Sequence, residues 1–219
     1  MNKYFKEIVL WALIVLPYIY LATIWSELPD KVPTHFDLDG IPNGWSSKTA
    51  LLIIPGALGM GIYFLMLIIP VLDPKGKIMQ MGDKFYALRF MLSLFVSLLV
   101  TYLLYLGKVG SLSDANIPIA LVGMLLALLG NYFQTIRPNY FIGIRTPWTL
   151  ENDQVWKKTH LLGGRIWMIG GVLIVIFAIF ISSNRTLMIL FSILLSVMVI
   201  IPVVFSYTEF RKERNMMRQ

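Results

Sequence analysis

Few residues in this chain have chemistry to offer. Two histidines, His35 and His160, and no cysteine occur in 219 residues. His35, Asp37 and Asp39 stand at alternate positions, so an extended backbone would turn all three to one face, as a cation requires. The calcium-loop pattern asks for glycine at its sixth position and an acid at its twelfth. Counted from Asp37, those places hold Pro42 and Lys48, so the pattern fails. The trio is a metal candidate by residue type alone, and no metal site or cofactor is expected. Absence of cysteine removes thiol nucleophiles, disulfides and thiolate-bound zinc together. No H-E-x-x-H, G-x-S-x-G or P-loop pattern is present, so the reading is not an enzyme. The outer-facing run Glu27–Lys48, with prolines, glycines and an Asn43-Gly44 pair, reads as a chain of turns with Trp45 at the membrane interface.

A second concentration lies between Asn131 and Trp156. Asn131, Asn139, Arg145 and Trp148 bring amide, guanidinium and indole donors into one loop, a set suited to docking on carbonyls or recognising a partner. Arg145 is flanked by Ile144 and by Thr146-Pro147-Trp148, which stiffen the chain beside a planar fork that lysine cannot copy. Thr149 is placed to cap a short helix with Glu151 and Asp153 in its first turn. On it Val155, Thr159 and Leu162 form a stripe bordered by Trp156, and Gly163-Gly164 is expected to end it. Such a helix would lie in the membrane surface with Lys157 and Lys158 towards lipid phosphates.

The elements that must position these loops follow from composition. Hydrophobic residues make up 57% and charged residues 14%, against about 45–50% and about 25% in a soluble domain. Mean hydropathy is +0.71. Six apolar spans are read at Ile8–Ser26, Thr49–Leu72, Phe90–Leu106, Ile117–Phe133, Ile166–Ile181 and Leu187–Phe205. The first reads as an uncleaved anchor, since no small-x-small site follows Trp25. Tyr132, Phe133 and Trp167 are expected as interfacial anchors of the short fourth and fifth spans. Pro17, Pro55, Pro70 and Pro202 predict kinks. Ala57 and Gly61, and the serine pairs Ser93/Ser97 and Ser192/Ser196, predict close helix contacts. No acid or base falls at mid-depth, where an ion-coupled transporter usually carries one. Of the 19 Lys and Arg, only Lys31, Lys48, Lys108 and Arg185 fall on the side of the Glu27–Lys48 loop. The basic side is cytoplasmic, which puts both termini inside. The net charge of +7 is thereby a matter of topology, and no direct nucleic-acid role is expected. The fold class is an all-α membrane protein: a compact bundle of six transmembrane helices, with a short interfacial helix in the fourth loop.

Gly130-Asn131, then Asn139, then Gly143-Ile-Arg145-Thr146-Pro147-Trp148-Thr149-Leu150, then Val155-Trp156 closely resemble the signature of the SdpI family of bacterial immunity proteins. The run Pro33-Thr-His35-Phe36-Asp37-Leu-Asp39-Gly40-Ile-Pro-Asn-Gly-Trp45 is similar to that family's frequent N-terminal domain of unknown function. The resemblance covers nearly the whole chain. It divides the chain into residues 1–72, two spans with the outer loop, and residues 73–219, a four-span region with its signature loop at 130–165. What it implies is a multi-pass protein of the bacterial cytoplasmic membrane that confers resistance to a secreted peptide toxin. In the family's characterised branch such a protein also signals by holding a cytoplasmic autorepressor at the membrane. The outer loop (His35, Phe36, Asp37, Asp39, Gly40, Trp45) is then expected to face the toxin, its other constant partner being the lipid bilayer. A small transporter or a lipid- or cation-binding membrane protein is the alternative. Sequence leaves the toxin and the oligomeric state open.

Overall fold

The computed structural model describes residues 2–37, 40–74, 76–111 and 116–216. Asn2 opens α1 (Lys3–Ile24) by accepting the Tyr4 N–H. The remaining helices are α2 (Ala50–Leu72), α3 (Asp83–Val109), α4 (Asn116–Phe133), the single turn α5 (Pro147–Glu151), α6 (Asp153–Phe180) and α7 (Asn184–Met216). Six of them are long and apolar enough to cross a bilayer, so the predicted bundle is present. Their outward faces carry exposed apolar side chains such as Ile53, Phe64, Ile179 and Ile200, as lipid contact demands. Pro17, Pro55, Pro70 and Pro202 all lie inside helices.

Two groups of three helices make the bundle. α1, α2 and α3 pack on one another, α4, α6 and α7 do likewise, and α3 meets α4 between them. The tightest approach is α4 on α6, and glycine explains it. A Cβ at Gly130 would stand 2.6 Å from the Gly164 carbonyl oxygen, and one at Gly123 would stand 2.9 Å from that of Gly171. Both helices present glycines seven residues apart, so their backbones touch without intervening side chains. Between α1 and α2 the close approach is at Gly56, under the Tyr18 ring, and Gly59, against Ile14. The expected pair Ala57 and Gly61 faces outward instead; Gly61 has open space around it. Of the serines, Ser93 and Ser97 are buried, whereas Ser192 and Ser196 are exposed and bond back to their own helix.

One end of the bundle gathers the N-terminus, the α2–α3 and α4–α6 connectors and the end of α7. Lys6 pairs with Asp83, Lys84 donates to the Thr135 carbonyl at 3.2 Å, and Lys158 bridges to Glu209 and Glu213 at 3.0 and 2.9 Å. At the opposite end Glu27 pairs with Lys108, and Asn116 donates to the Ile181 carbonyl. There β1 (Lys31–Phe36) and β2 (Pro42–Ser47) pair as an antiparallel hairpin, rather than as unpaired turns. The correction has a local cause. Between the strands the Asp37 carboxylate accepts the Ile41 N–H at 2.9 Å and its carbonyl the Gly40 N–H at 3.1 Å. Asn43-Gly44 lies within β2, because Gly44 faces His35 and a Cβ there would meet the His35 Cβ at 2.9 Å. Val32 anchors the hairpin, wholly buried among Leu21, Ile24, Leu28, Leu51, Val100 and Leu104.

Candidate functional site

The signature segment is a folded plug docked against α6 and α7. Asn139, 2% exposed, organises its first half. Its amide donates to the carbonyls of Arg137 (2.9 Å) and Ile142 (3.1 Å), and its oxygen accepts the N–H groups of Phe141 (2.9 Å) and Ile142 (2.7 Å). All of that side chain's bonding is spent on backbone, so Asn139 builds the turn and offers nothing to a ligand. Gly143 follows at φ 113°. A Cβ there would fall 2.8 Å from Ile136 and collide with the His160 ring.

His160 is the residue that sequence reasoning missed. It is 2% exposed and stacks on Trp156 with ring centroids 4.0 Å apart. Its Nε2 accepts the Ile144 N–H at 2.9 Å, and Nδ1 lies 2.9 Å from the Trp156 carbonyl. Accepting on one nitrogen and donating from the other defines the neutral tautomer protonated at Nδ1. Trp156, 1% exposed, donates in turn to the Ile136 carbonyl at 3.1 Å. The signal was in the chain, because His160 follows Trp156 by four residues on the stripe formed by Val155 and Thr159.

The second half of the plug rests on α7. Thr146, rather than Thr149, is the helix cap: it accepts the Thr149 N–H at 3.3 Å while Thr149 Oγ1 accepts the Thr146 N–H at 2.9 Å. Pro147 supplies the first position of α5, where its missing N–H costs nothing. Trp148 donates to the hydroxyl of buried Ser206, which donates onward to the Val203 carbonyl at 2.6 Å, and its ring meets Tyr207 at 5.3 Å. Asn152 caps α6 by accepting the N–H groups of Gln154 and Val155. α6 then runs straight through Gly163-Gly164 into the fifth span, contrary to the expected break. These glycines serve packing: Gly163 lies against Ile144 and Pro202, Gly164 against α4. The helix read as interfacial is therefore the first part of a spanning helix. Lys158 faces two glutamates of α7 rather than lipid. Tyr132 and Phe133 are buried in the core, and half-buried Trp167 packs against it, donating to the Met198 carbonyl at 2.9 Å.

Among the signature residues, Asn131, Arg145 and Pro147 face outward. Arg145 donates from Nη1 to the Tyr140 carbonyl at 2.6 Å, leaving most of its fork exposed. In the hairpin His35 meets Asn43, Asp37 holds the turn, and Trp45 is 57% exposed. Asp39 lies outside the described residues. Among those described, no group of three acids or histidines is gathered for a metal.

A bundle of six apolar spans, with a hairpin at one end and a docked, polar-stitched plug at the other, defines a multi-pass protein of the cell membrane. Residues 135–206, which include the plug, match the SdpI/YfhL protein family, and residues 12–59 match Domain of unknown function (DUF1648). Over α5, α6 and most of α7 the chain is therefore similar to the SdpI/YfhL family. It is 25% identical over 216 residues to the "Immunity protein SdpI" of Bacillus subtilis (strain 168), a match covering 94% of this chain and 97% of that protein. No solved structure matches it.

Proposed function

We propose that this chain is an immunity protein of the bacterial cytoplasmic membrane, protecting its host from a secreted, membrane-active peptide toxin. The observation that carries the reading is the end-to-end match to an immunity protein, 94% of this chain against 97% of that one. The hairpin is the toxin-facing element. It projects from the bundle end opposite the basic plug, is held by Val32 beneath, and presents Ile41 and Trp45 with His35 to the outside. Apolar and aromatic side chains on a rigid two-stranded scaffold suit capture of an amphipathic peptide. The plug is the cytoplasmic element, and Arg145 with Tyr140 is its exposed surface for a cytoplasmic repressor. The reading is not enzymatic: Asn139, Thr146, Thr149 and His160 all bond to backbone groups.

Expression in a toxin-sensitive strain tests the reading through survival against membrane abundance. Protection is expected, and Trp45→Ser is expected to reduce it while the protein still accumulates. Unchanged killing by every related toxin, with the protein present in the membrane, would remove it.

A further inference from the structure

Glu7 and Arg89 lay just outside the first and third predicted spans, but the structure puts them inside α1 and α3. Arg89 is 9% exposed. Its two Nη groups reach both Glu7 oxygens at 2.8 and 3.0 Å, and the Tyr63 hydroxyl donates to Glu7 at 2.9 Å. The Glu7 charge is thereby neutralised, while the Arg89 Nε–H is buried without a partner. This pair forms the floor of a cleft of about 640 Å³ between α1, α2 and the start of α3. Lys3 and Lys6 stand on one wall, and Met66, Leu67, Pro70 and Phe85 form the other.

Several features make the cleft selective for an anion with an apolar tail. Three cations, Lys3, Lys6 and Arg89, line it against two carboxylates, Glu7 and Asp83. Lys3 makes no ion pair among the described residues. Gly82 and Asp83, at the N-terminal end of α3, border the same space, and Gly82 supplies no side-chain cap. The apolar wall continues into Val71 and Leu72 of α2, both exposed on the lipid side. A soluble phosphate would use the basic wall and leave the apolar one wet. A phospholipid uses both, with its phosphate among the lysines and its acyl chains along α2.

We propose that this cleft is a binding site for the phosphate headgroup of one anionic phospholipid, seated between α1, α2 and α3 at the basic end of the bundle. Basic pockets between transmembrane helices suit such headgroups, and the volume matches ordinary ligand sites of about 300–1,000 Å³. The site stands apart from the immunity reading and survives or fails without it.

Native mass spectrometry of the purified protein, titrated with phosphatidylglycerol or phosphatidylcholine of identical acyl chains, tests the proposal. Wild type is expected to retain one phosphatidylglycerol with roughly tenfold preference. Lys3→Gln with Lys6→Gln should abolish that preference, and Lys157→Gln, an exposed lysine outside the cleft, should leave it intact. Thermal unfolding confirms that the double variant folds; if it does not, Lys3→Gln alone should lower the preference severalfold. Equal retention of the two lipids by wild type would overturn the proposal. So would a preference that survives loss of the cleft lysines, or glycerol 1-phosphate protecting the protein from unfolding as well as phosphatidylglycerol does.

Discussion

Replacing Asn139 by alanine is the most direct test of the plug as a hydrogen-bonded structure. The change removes two amide donors and one carbonyl oxygen accepting two N–H groups. Two of those four bonds fall on Ile142, whose N–H and carbonyl are both buried with Asn139. Leaving a buried polar group without its partner costs about 1–3 kcal/mol. The two Ile142 groups together therefore cost about 2–6 kcal/mol, with the lower end applying where water enters the vacated space. The Arg137 and Phe141 groups are only part-buried and add less. Hydrogen exchange by mass spectrometry reads this locally. A loss of about 2 kcal/mol speeds exchange at Phe141 and Ile142 about 30-fold. Asn131→Ala is the matched control, since Asn131 belongs to the same signature but is exposed; a surface change of this kind stays within about 0.5 kcal/mol. Exchange at Phe141 and Ile142 less than about threefold faster in Asn139→Ala would refute the reasoning, because the backbone would then hold the turn unaided.

The remaining predictions address the bundle and its orientation. Gly130→Leu should abolish accumulation of folded protein, because even its Cβ would crowd the Gly164 carbonyl at 2.6 Å. Gly61→Ala has open space and should be neutral or stabilising by about 0.5–1 kcal/mol in detergent unfolding. Removing one member of the Glu7–Arg89 pair strands a charge that is 11% exposed on the arginine side. Glu7→Leu should therefore lower the unfolding temperature more than Glu7→Leu with Arg89→Met does, and the reverse order would show that the pair is not the stabilising contact. In this cysteine-free chain, an impermeant thiol reagent should label Ile41→Cys in intact cells and Gln154→Cys only after permeabilisation.

Some elements were legible in the sequence because one physical signal dominated them. Bilayer solvation forces about 20 apolar residues per crossing, so the six spans emerged from hydropathy alone. Their ends were less legible. Once begun, a helix continues wherever its polar side chains find partners. α3 starts seven residues before Phe90 and carries Arg89 because Glu7 receives that guanidinium. α6 passes through Gly163-Gly164 because α4 and α7 press on those positions. A paired-glycine stop signal and a glycine packing face read identically until the neighbouring helix is known. The same ambiguity hid the hairpin, where Asn43-Gly44 resembled a turn but Gly44 was serving the strand opposite His35.

The signature loop shows why residue type predicts prominence better than role. Asn139, Thr146, Thr149 and Trp156 look like recognition groups because amides, hydroxyls and indoles bind ligands. Here they meet backbone atoms of the segment itself, since a non-helical chain running under a bundle must satisfy every buried carbonyl and N–H. His160 belongs with them, fixing Ile144 from α6. Subtracting the residues occupied in this way leaves Arg145, with one Nη bonded to the Tyr140 carbonyl and its remaining donors outward. A partner on this face would therefore need a carboxylate or a carbonyl pair matching a planar fork. Arg145→Lys keeps the charge and removes the fork, and it touches nothing that holds the plug together beyond one carbonyl. Exchange protection of Phe141 and Ile142 should thus survive Arg145→Lys. Recruitment of a cytoplasmic partner, read by fractionation, should fall roughly tenfold, the effect of removing a single charge-assisted hydrogen bond. If protection collapses instead, Arg145 is another internal strut, and the plug offers no recognition group at all.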